Sequence, residues 1–276
     1  MRPNYQILSE LFGFESNGEA NDVLPQKGPM TAEENLIQGN YKRAAQQFAE
    51  RVRQDPGEAE ARLGLAGALE CMDQAPQALR QYEQARRLAR NSSEPYVGLS
   101  EIYKQHGRAR DAVAKLHQAL ELEPCNAYLH FKLAEALRGL GLLEDAARAA
   151  QYTIAYAPDQ SFYHYWLGDL LLEMGKHEQA LAAMRAAIEL SPGDDGLYAH
   201  AACALWATGK HAEAIKAIRL ATDLDASRLE YRGLLHRFLT ERDQHEEAAA
   251  EAPYVDRMGE YERDRLARLG REAGLG

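Results

Sequence analysis

Residues 161–194 read SFYHYWLGDLLLEMGKHEQALAAMRAAIELSPGD, and this stretch decides the fold. Apolar residues recur at helical spacing from Tyr163 to Met174. Gly175 follows at a position where glycine commonly ends a helix, because glycine adopts positive φ without a Cβ clash. A second apolar run comes next, and Pro192 just beyond it cannot continue a helix. The stretch therefore predicts two helices joined by a tight turn.

The same plan recurs along the chain with a period of 34 residues. Steps of 34 residues from Ala180 meet alanine every time, with no insertion or deletion. These alanines are Ala44, Ala78, Ala112, Ala146, Ala180, Ala214 and Ala248. The same steps from Gly175 meet glycine or aspartate, and aspartate also tolerates the left-handed region. Those residues are Gly39, Asp73, Gly107, Gly141, Gly209 and Asp243. A register kept this long indicates stacked helical hairpins.

The pattern resembles the tetratricopeptide repeat family, which places small and apolar residues at fixed points of a 34-residue unit. In residues 161–194 these points are filled by Leu167, Gly168, Leu171, Ala180, Met184, Ala187 and Pro192. In residues 93–126 they are filled by Tyr96, Leu99, Ser100, Tyr103, Ala112, Leu116, Ala119 and Pro124. The resemblance covers most of the chain. It implies an all-α fold, a solenoid of antiparallel helix pairs wound into a right-handed superhelix.

The repeat register divides the sequence into three segments. Residues 1–24 lie outside the repeats and contain apolar residues at the spacing of a short amphipathic helix, which either caps the first repeat or docks into a groove. Seven units follow, of which the first and the last are degenerate. Their boundaries are 25–58, 59–92, 93–126, 127–160, 161–194, 195–228 and 229–252. Residues 253–276 are predicted to form a C-terminal capping helix and tail, with Pro253 cutting the last repeat helix short.

Composition narrows the class of partner and the compartment. The net charge of −10 disfavours nucleic acid and anionic membrane surfaces as partners. Three cysteines without paired spacing are typical of reduced thiols, so we expect a cytoplasmic protein. No apolar run is long enough to span a membrane, and the N-terminus does not have the pattern of a signal peptide. Helices rich in alanine and arginine suggest a bacterial source.

Catalytic and cofactor motifs give no support to an enzyme. The sequence has no glycine-rich phosphate loop, HExxH, nucleophile elbow or CxxC. His200 and Cys203 share a helix face, and His164 lies in the adjacent unit, but a fourth metal ligand is not evident. We therefore expect a non-catalytic protein without a cofactor or a metal.

The candidate binding surface lies on the first helix of each unit. Positions 2, 5, 6, 9, 12 and 13 of the unit centre roughly 150° away from its packing face. We call this surface the first-helix face; in the resembling family it lines a concave groove that binds peptides. Its candidate residues are Glu101, Tyr128, Phe131, Lys132, Glu135, Phe162, Tyr165, Trp166, Asp169, Glu173, His200 and Trp206. Clustered aromatic side chains usually mark an interaction site, and the alternative is that they pack under a terminal segment or between repeats.

The charges on this face indicate the chemistry of the ligand. Some members of the family bind a partner's C-terminal carboxylate with Lys, Asn and Arg at positions 5, 6 and 9. Here positions 5 and 9 of the central units carry apolar, aromatic or acidic residues, and Lys132 is the one matching cation at position 6. The residues at positions 5 and 9 are Val97, Glu101, Phe131, Glu135, Tyr165 and Asp169. We expect a peptide or helix with apolar or aromatic anchors and some Lys or Arg.

Two classes of function follow from this surface. The first is a scaffold or adaptor that binds a partner protein, in an assembly or chaperone-like role. The second is a self-assembling structural protein, in which residues 1–24 of one copy dock in the groove of the next and build a homo-oligomer. A non-catalytic subunit of an enzyme complex is a third reading, and the sequence does not separate it from the first.

Overall fold

A computed structural model describes residues 30–275, and the regular structure in that range consists of helices alone. In chain order they are α1 (Ala32–Ile37), α2 (Tyr41–Gln54), α3 (Ala59–Cys71), α4 (Ala75–Leu88), α5 (Glu94–Gln105), α6 (Ala109–Leu122), α7 (Ala127–Gly139), α8 (Leu143–Tyr156), α9 (Ser161–Glu173), α10 (His177–Leu190), α11 (Asp195–Ala207), α12 (His211–Leu224), α13 (Leu229–Glu241), α14 (His245–Asp256) and α15 (Glu260–Glu272). Helices α1 to α14 pair into hairpins, and the even-numbered second helices begin every 34 residues, from Tyr41 to His245. The all-α, TPR-like solenoid class predicted from the period is confirmed.

The turn inside each hairpin has the backbone geometry that the sequence predicts. Gly175 has φ of 69°, and the equivalent glycines of the other hairpins lie between 72° and 78°. Aspartate replaces glycine at Asp73 and Asp243, with φ of 58° and 57°. Left-handed aspartate is uncommon but tolerated, so the register of the repeat is kept without glycine at these two turns.

The invariant alanines form the contact between the two helices of a hairpin. Six of the seven, from Ala44 to Ala214, are completely buried, and Ala248 in the last hairpin is 5% exposed. A small side chain at a buried position lets two packed helices approach closely. The alanine column therefore sets the spacing of the hairpins rather than any ligand contact.

The described residues form two compact units, which divide between residues 124 and 125. In the first unit, the large ring of a second helix packs on a glycine of the next first helix. A Cβ at Gly64 would come within 2.3 Å of the Phe48 ring, and one at Gly98 within 2.2 Å of the Tyr82 ring. Tyr82 also donates a hydrogen bond to Glu70, at 2.9 Å. These glycines are required by packing and not by a turn.

The second unit contains helices α7 to α15. Its hairpins run to α14, which continues through Pro253 to Asp256, so the expectation that this proline ends the helix was wrong. Proline removes one amide hydrogen bond, but Pro253 is exposed and the residues after it remain helical. Helix α15 then folds back and packs against α11 and α13. The C-terminal helix is present, but it lies on the first-helix face instead of capping the end of the stack.

Two further expectations concern the N-terminal segment and membrane-spanning helices. The predicted amphipathic segment, residues 1–24, lies outside the described residues. Within residues 30–275, none of the helices combines the length and the apolarity needed to cross a lipid bilayer.

Candidate functional site

The predicted site residues fall in both compact units. Glu101 lies on α5 in the first unit, where its carboxylate is 2.9 Å from the ammonium of Lys104. The other eleven lie in the second unit, on α7, α9 and α11. Lys132 pairs with Glu135 one turn along α7, at 2.9 Å, so this cation is already engaged within its own helix.

Four aromatic residues of α7 and α9 form one cluster. The Phe131 ring lies 5.4 to 5.5 Å from the rings of Phe162, Tyr163 and Trp166, in edge-on and tilted arrangements. Such geometry is favourable for aromatic pairs and contributes about 0.5–1.5 kcal/mol per pair. Phe131 is 8% exposed, whereas Phe162 at the edge of the cluster is 52% exposed. Phe162 is therefore the ring that a ligand can reach.

Trp166 is more buried than a groove residue was expected to be. Only 9% of its surface is exposed, because Phe131 covers one side and the Arg138 guanidinium lies 5.5 Å from its ring centre. Arg138 also pairs with Asp169 at 2.9 Å and with Glu173 at 2.8 Å. Trp166 thus contributes both to the packing of α7 on α9 and to the remaining surface.

Trp206 lies inside the stack of helices. Its ring stacks on Phe238 of α13 at 4.1 Å with an interplanar angle of 5°, and on His211 of α12 at 4.3 Å. It is 7% exposed. Position 12 of this unit therefore packs between neighbouring hairpins, and in this conformation Trp206 offers almost no surface to a partner.

Helix α15 covers the part of the first-helix face that belongs to α11 and α13. The Cys203 thiol is fully buried and donates to the carbonyl of Leu269, with the sulfur 3.4 Å from the oxygen. The Glu272 carboxylate accepts from Nδ1 of His200 at 2.8 Å. The Arg268 guanidinium donates to Asp169 at 2.7 Å. The chain's own C-terminal helix is therefore the occupant of this region.

Burial and nearby charge raise the pKa of two side chains where α15 contacts the stack. Burial raises the pKa of Tyr165 to about 12, and the nearby Asp169 carboxylate adds to the effect. Burial also raises the pKa of the Cys203 thiol well above its usual range. Tyr165 keeps its proton and contacts His200, with its hydroxyl 3.3 Å from Nε2.

The arginine that reaches Asp169 is held in its charged form. Burial alone would lower the pKa of Arg268, but the carboxylates of Asp169 and Glu272 outweigh it and raise the pKa. A buried carboxylate is costly without a cation, so Asp169, only 7% exposed, depends on its arginine partners.

Sequence reasoning missed the part of the site that α13 and α15 contribute. Glu230 is 2% exposed and receives Arg265 of α15 at 3.0 Å. Gly233 lies in the middle of α13, and a Cβ there would come 2.4 Å from Met258 and 2.7 Å from Leu266. A glycine inside a helix is unfavourable by about 1 kcal/mol relative to alanine. Gly233 was therefore the available signal of a close approach by another segment.

An open cleft of about 830 Å³ lies beside α15 on the same face. Trp166 and Leu172 provide its apolar lining, and both acidic and basic side chains surround them. Its charged lining consists of Glu135, Arg138, Asp169, Glu173, Arg268, Arg271 and Glu272. The structure thus separates the predicted groove of this unit into an open cleft at α7 and α9 and a covered region at α11 and α13.

The three residues considered and rejected as metal ligands, His164, His200 and Cys203, do not converge. His164 contacts the carbonyl of Pro158, 2.9 Å away, whereas Cys203 contacts Leu269. Asp169, His200 and Glu272 do come together, with ligand atoms within 4.8 Å of one another. Each of these three already has a protein partner, so the group forms an ion-pair and hydrogen-bond network.

Comparison with known proteins agrees with this architecture. Sequence models of the tetratricopeptide repeat match residues 97–151, 131–195 and 171–238, which together cover just over half of the 276 residues. No curated protein matches the sequence at a significant level.

Three solved structures show the likeness of the fold. The C-terminal part of a TPR repeat-containing protein from Cytophaga hutchinsonii aligns over 85% of this chain and 98% of its own, with a TM-score of 0.71 and 15% identity. MamA from Desulfovibrio magneticus RS-1 aligns over 64% and 95%, with a TM-score of 0.56 and 22% identity. YrrB, described as a TPR protein with an unusual peptide-binding site, aligns over 66% and 94%, with a TM-score of 0.56 and 20% identity. At these identities the likeness concerns the fold alone. The helical hairpins, their 34-residue register and the matching sequence models place this chain in the tetratricopeptide repeat family.

Proposed function

We propose that the protein is a scaffold or adaptor that binds a peptide or helix of a partner protein in the open cleft between α7, α9 and α15. The observation that carries the proposal is the cluster of rings at its border, where Phe162 remains half exposed next to buried Phe131 and Trp166. An exposed aromatic ring beside a cleft is the usual anchor point of a protein–protein contact.

The cleft favours a ligand with apolar anchors and basic residues. Trp166 and Leu172 supply apolar surface, and the carboxylates of Glu135 and Glu173 lie in the same lining. Glu173 is 45% exposed and can therefore meet a cation from the partner. Repeat proteins of this family commonly use such a face, and YrrB is described as having a peptide-binding site. We propose no catalytic step, because the titratable groups here pair with one another.

Partner capture from cell extract tests the proposal with two matched variants. Phe162→Ala removes the exposed ring of the aromatic cluster, which reaches the cleft through Trp166. Tyr152→Ala removes an equally exposed ring, 55% against 52%, on the second helix α8. We expect Phe162→Ala to lose captured proteins that wild type and Tyr152→Ala retain, with all three equally helical by circular dichroism. Identical captured sets for the three proteins would refute the aromatic cluster beside the cleft as part of the binding site.

Trp166 is a less suitable position than Phe162 for testing the binding site. Its ring packs against Phe131 and Arg138, so Trp166→Ala would leave a cavity and lower stability together with binding. The alternative of self-assembly through residues 1–24 involves a segment outside the described residues and stays a separate prediction. Equilibrium sedimentation of the full chain and of a chain starting at residue 25 distinguishes it from the scaffold.

A further inference from the structure

The face formed by α11 and α13 is shaped to receive a helix. A Cβ at Gly233 would collide with Met258 and Leu266 of the C-terminal segment. On the opposite side of the contact, a Cβ at Gly270 would come 2.2 Å from Nη1 of Arg237. Glycines on both helices thus permit a close crossing, which a loop or an extended strand would not require.

The charges of this face match a helix that carries arginines on one side. Asp169 and Glu230 are nearly buried, and they receive Arg268 and Arg265 respectively. These two arginines are three residues apart and so lie on the same side of α15. An occupant without cations at this spacing would leave Asp169 with Arg138 alone and Glu230 with Arg228 alone, and the loss of one cation from each buried carboxylate is unfavourable.

Few apolar side chains hold α15 in place. The buried ones in the C-terminal segment are Met258, Leu269 and Ala273, and Leu266 is partly exposed. The two arginines that bind the carboxylates remain 36% and 53% exposed. No side chain caps the helix at Gly259, and a linker of three residues joins it to α14. Peripheral helices with few buried contacts open at low free energy.

We infer that α15 occupies a second partner-binding surface, and that a partner helix with two Arg–Leu pairs three residues apart displaces it. In α15 these pairs are Arg265–Leu266 and Arg268–Leu269. The occupant is a helix of another protein whose two arginines meet Glu230 and Asp169 as Arg265 and Arg268 do. Because the three-residue linker gives α15 a high effective concentration in its own groove, such a helix displaces it only when present in large excess or bound more strongly. The inference rests on the proposed function in one respect: both take the first-helix face as the surface that binds partners.

Hydrogen–deuterium exchange on the full wild-type chain tests this inference. The probe is a synthetic helix that keeps the sequence RLARLG of residues 265–270 and replaces the exposed positions around it with alanine and glutamate. The matched control peptide carries glutamate in place of both arginines. We expect a saturating amount of the probe to accelerate exchange of the α15 amides at least tenfold, while the α11 amides stay protected. The control peptide should have no effect.

Three results would overturn the inference. The first is that the probe does not bind at millimolar concentration. The second is that it binds but leaves exchange of α15 unchanged. The third is that α15 exchanges faster on concentrating the protein alone, in step with dimer formation, which would assign the surface to a second copy. Partner capture by Phe162→Ala measures the aromatic cluster, whereas hydrogen exchange measures the release of α15, so failure of this inference and failure of the proposed function are read in separate experiments.

Discussion

Arg268 on α15 donates to the Asp169 carboxylate on α9 with a nitrogen–oxygen distance of 2.7 Å, across 99 residues of sequence. Arg138 of α7 reaches the other oxygen of the same carboxylate at 2.9 Å. Asp169 thus links the helix that bears the open cleft to the helix that covers its neighbour. A ligand that binds Arg138 or Asp169 would also change how strongly α15 is held.

Replacing the Asp169 carboxylate should lower the stability of the fold more than replacing the exposed Glu173 carboxylate nearby. Asp169→Asn keeps the shape but leaves Arg138 with Glu173 and Arg268 with Glu272 as their remaining carboxylate partners. Because the lost carboxylate is the buried one that joins the two arginines, we expect the free energy of unfolding to fall by about 1–3 kcal/mol. Glu173→Gln, on the same helix and also bound to Arg138, should change it by less than about 1 kcal/mol because Glu173 is 45% exposed. Urea unfolding of both variants measures the difference. Equal losses would show that Asp169 is not a buried link.

A bulky side chain at Gly233 should release α15 without unfolding α13. Gly233→Leu places atoms where Met258 and Leu266 now lie, so we expect the Cys203 thiol to become reactive towards iodoacetamide at pH 8. The thiol is fully buried in the wild type and should react only on unfolding. Cys125, which is exposed, reports the reagent's activity in the same sample.

Gly139→Leu is the control for this thiol measurement. A Cβ at Gly139 meets no atom within 4 Å, so the larger side chain should leave α15 in place and Cys203 unreactive. If Cys203 stays protected in Gly233→Leu as well, with helix content unchanged, the thiol is covered by α11 and α13 themselves.

The 34-residue period predicted those features of the fold that depend on local backbone geometry. The left-handed turns at Asp73 and Asp243 and the buried alanine column follow from short-range sterics, which recur identically in each unit. The position of α15 depends on contacts such as Arg265 with Glu230, between a non-repeated segment and the stack. No periodicity encodes such a contact, so the sequence predicted a cap where the structure has a covered groove.

The predicted groove residues show the same difference. Local helical spacing placed them on one face, whereas contacts with residues distant in sequence determine how exposed they are. Helical spacing placed Phe162, Trp166 and Trp206 on one face, but it did not give the size of their neighbours. Phe238 from the next unit stacks on Trp206 and removes it from the surface. Phe162 has no such cover and remains half exposed. Assignment of groove residues therefore needs the side chains of adjacent repeats as well as the repeat register.

The raised pKa of Tyr165 predicts a stability change at alkaline pH. An ordinary tyrosine has a pKa near 10, and burial raises that of Tyr165 to about 12. Between these values the unfolded chain releases the proton while the folded chain keeps it, so the free energy of unfolding falls as pH rises from 10 to 12. We expect the wild type to lose up to about 2 kcal/mol more than Tyr165→Phe over this range.

Urea unfolding of the wild type and of Tyr165→Phe at pH 9, 10, 11 and 12 tests this prediction. Other tyrosines and lysines titrate in both, so only the difference between the curves belongs to Tyr165. Tyr165→Phe also loses the contact with His200, which lowers its stability at every pH without changing the slope. Parallel curves would show that Tyr165 ionises at its usual pKa and is accessible to solvent.

Two glycines of the first unit should respond to alanine with opposite signs. Gly67 and Gly98 both lie inside helices, where alanine is favoured by about 0.5–1 kcal/mol. A Cβ at Gly67 meets only the Tyr82 hydroxyl at 3.9 Å, so Gly67→Ala should raise the urea midpoint. A Cβ at Gly98 would overlap the Tyr82 ring, and overpacking of this kind costs about 1–3 kcal/mol, so Gly98→Ala should lower it. If Gly98→Ala is also stabilising, the Tyr82 ring can move aside, and close contact between ring and glycine does not determine how these hairpins stack.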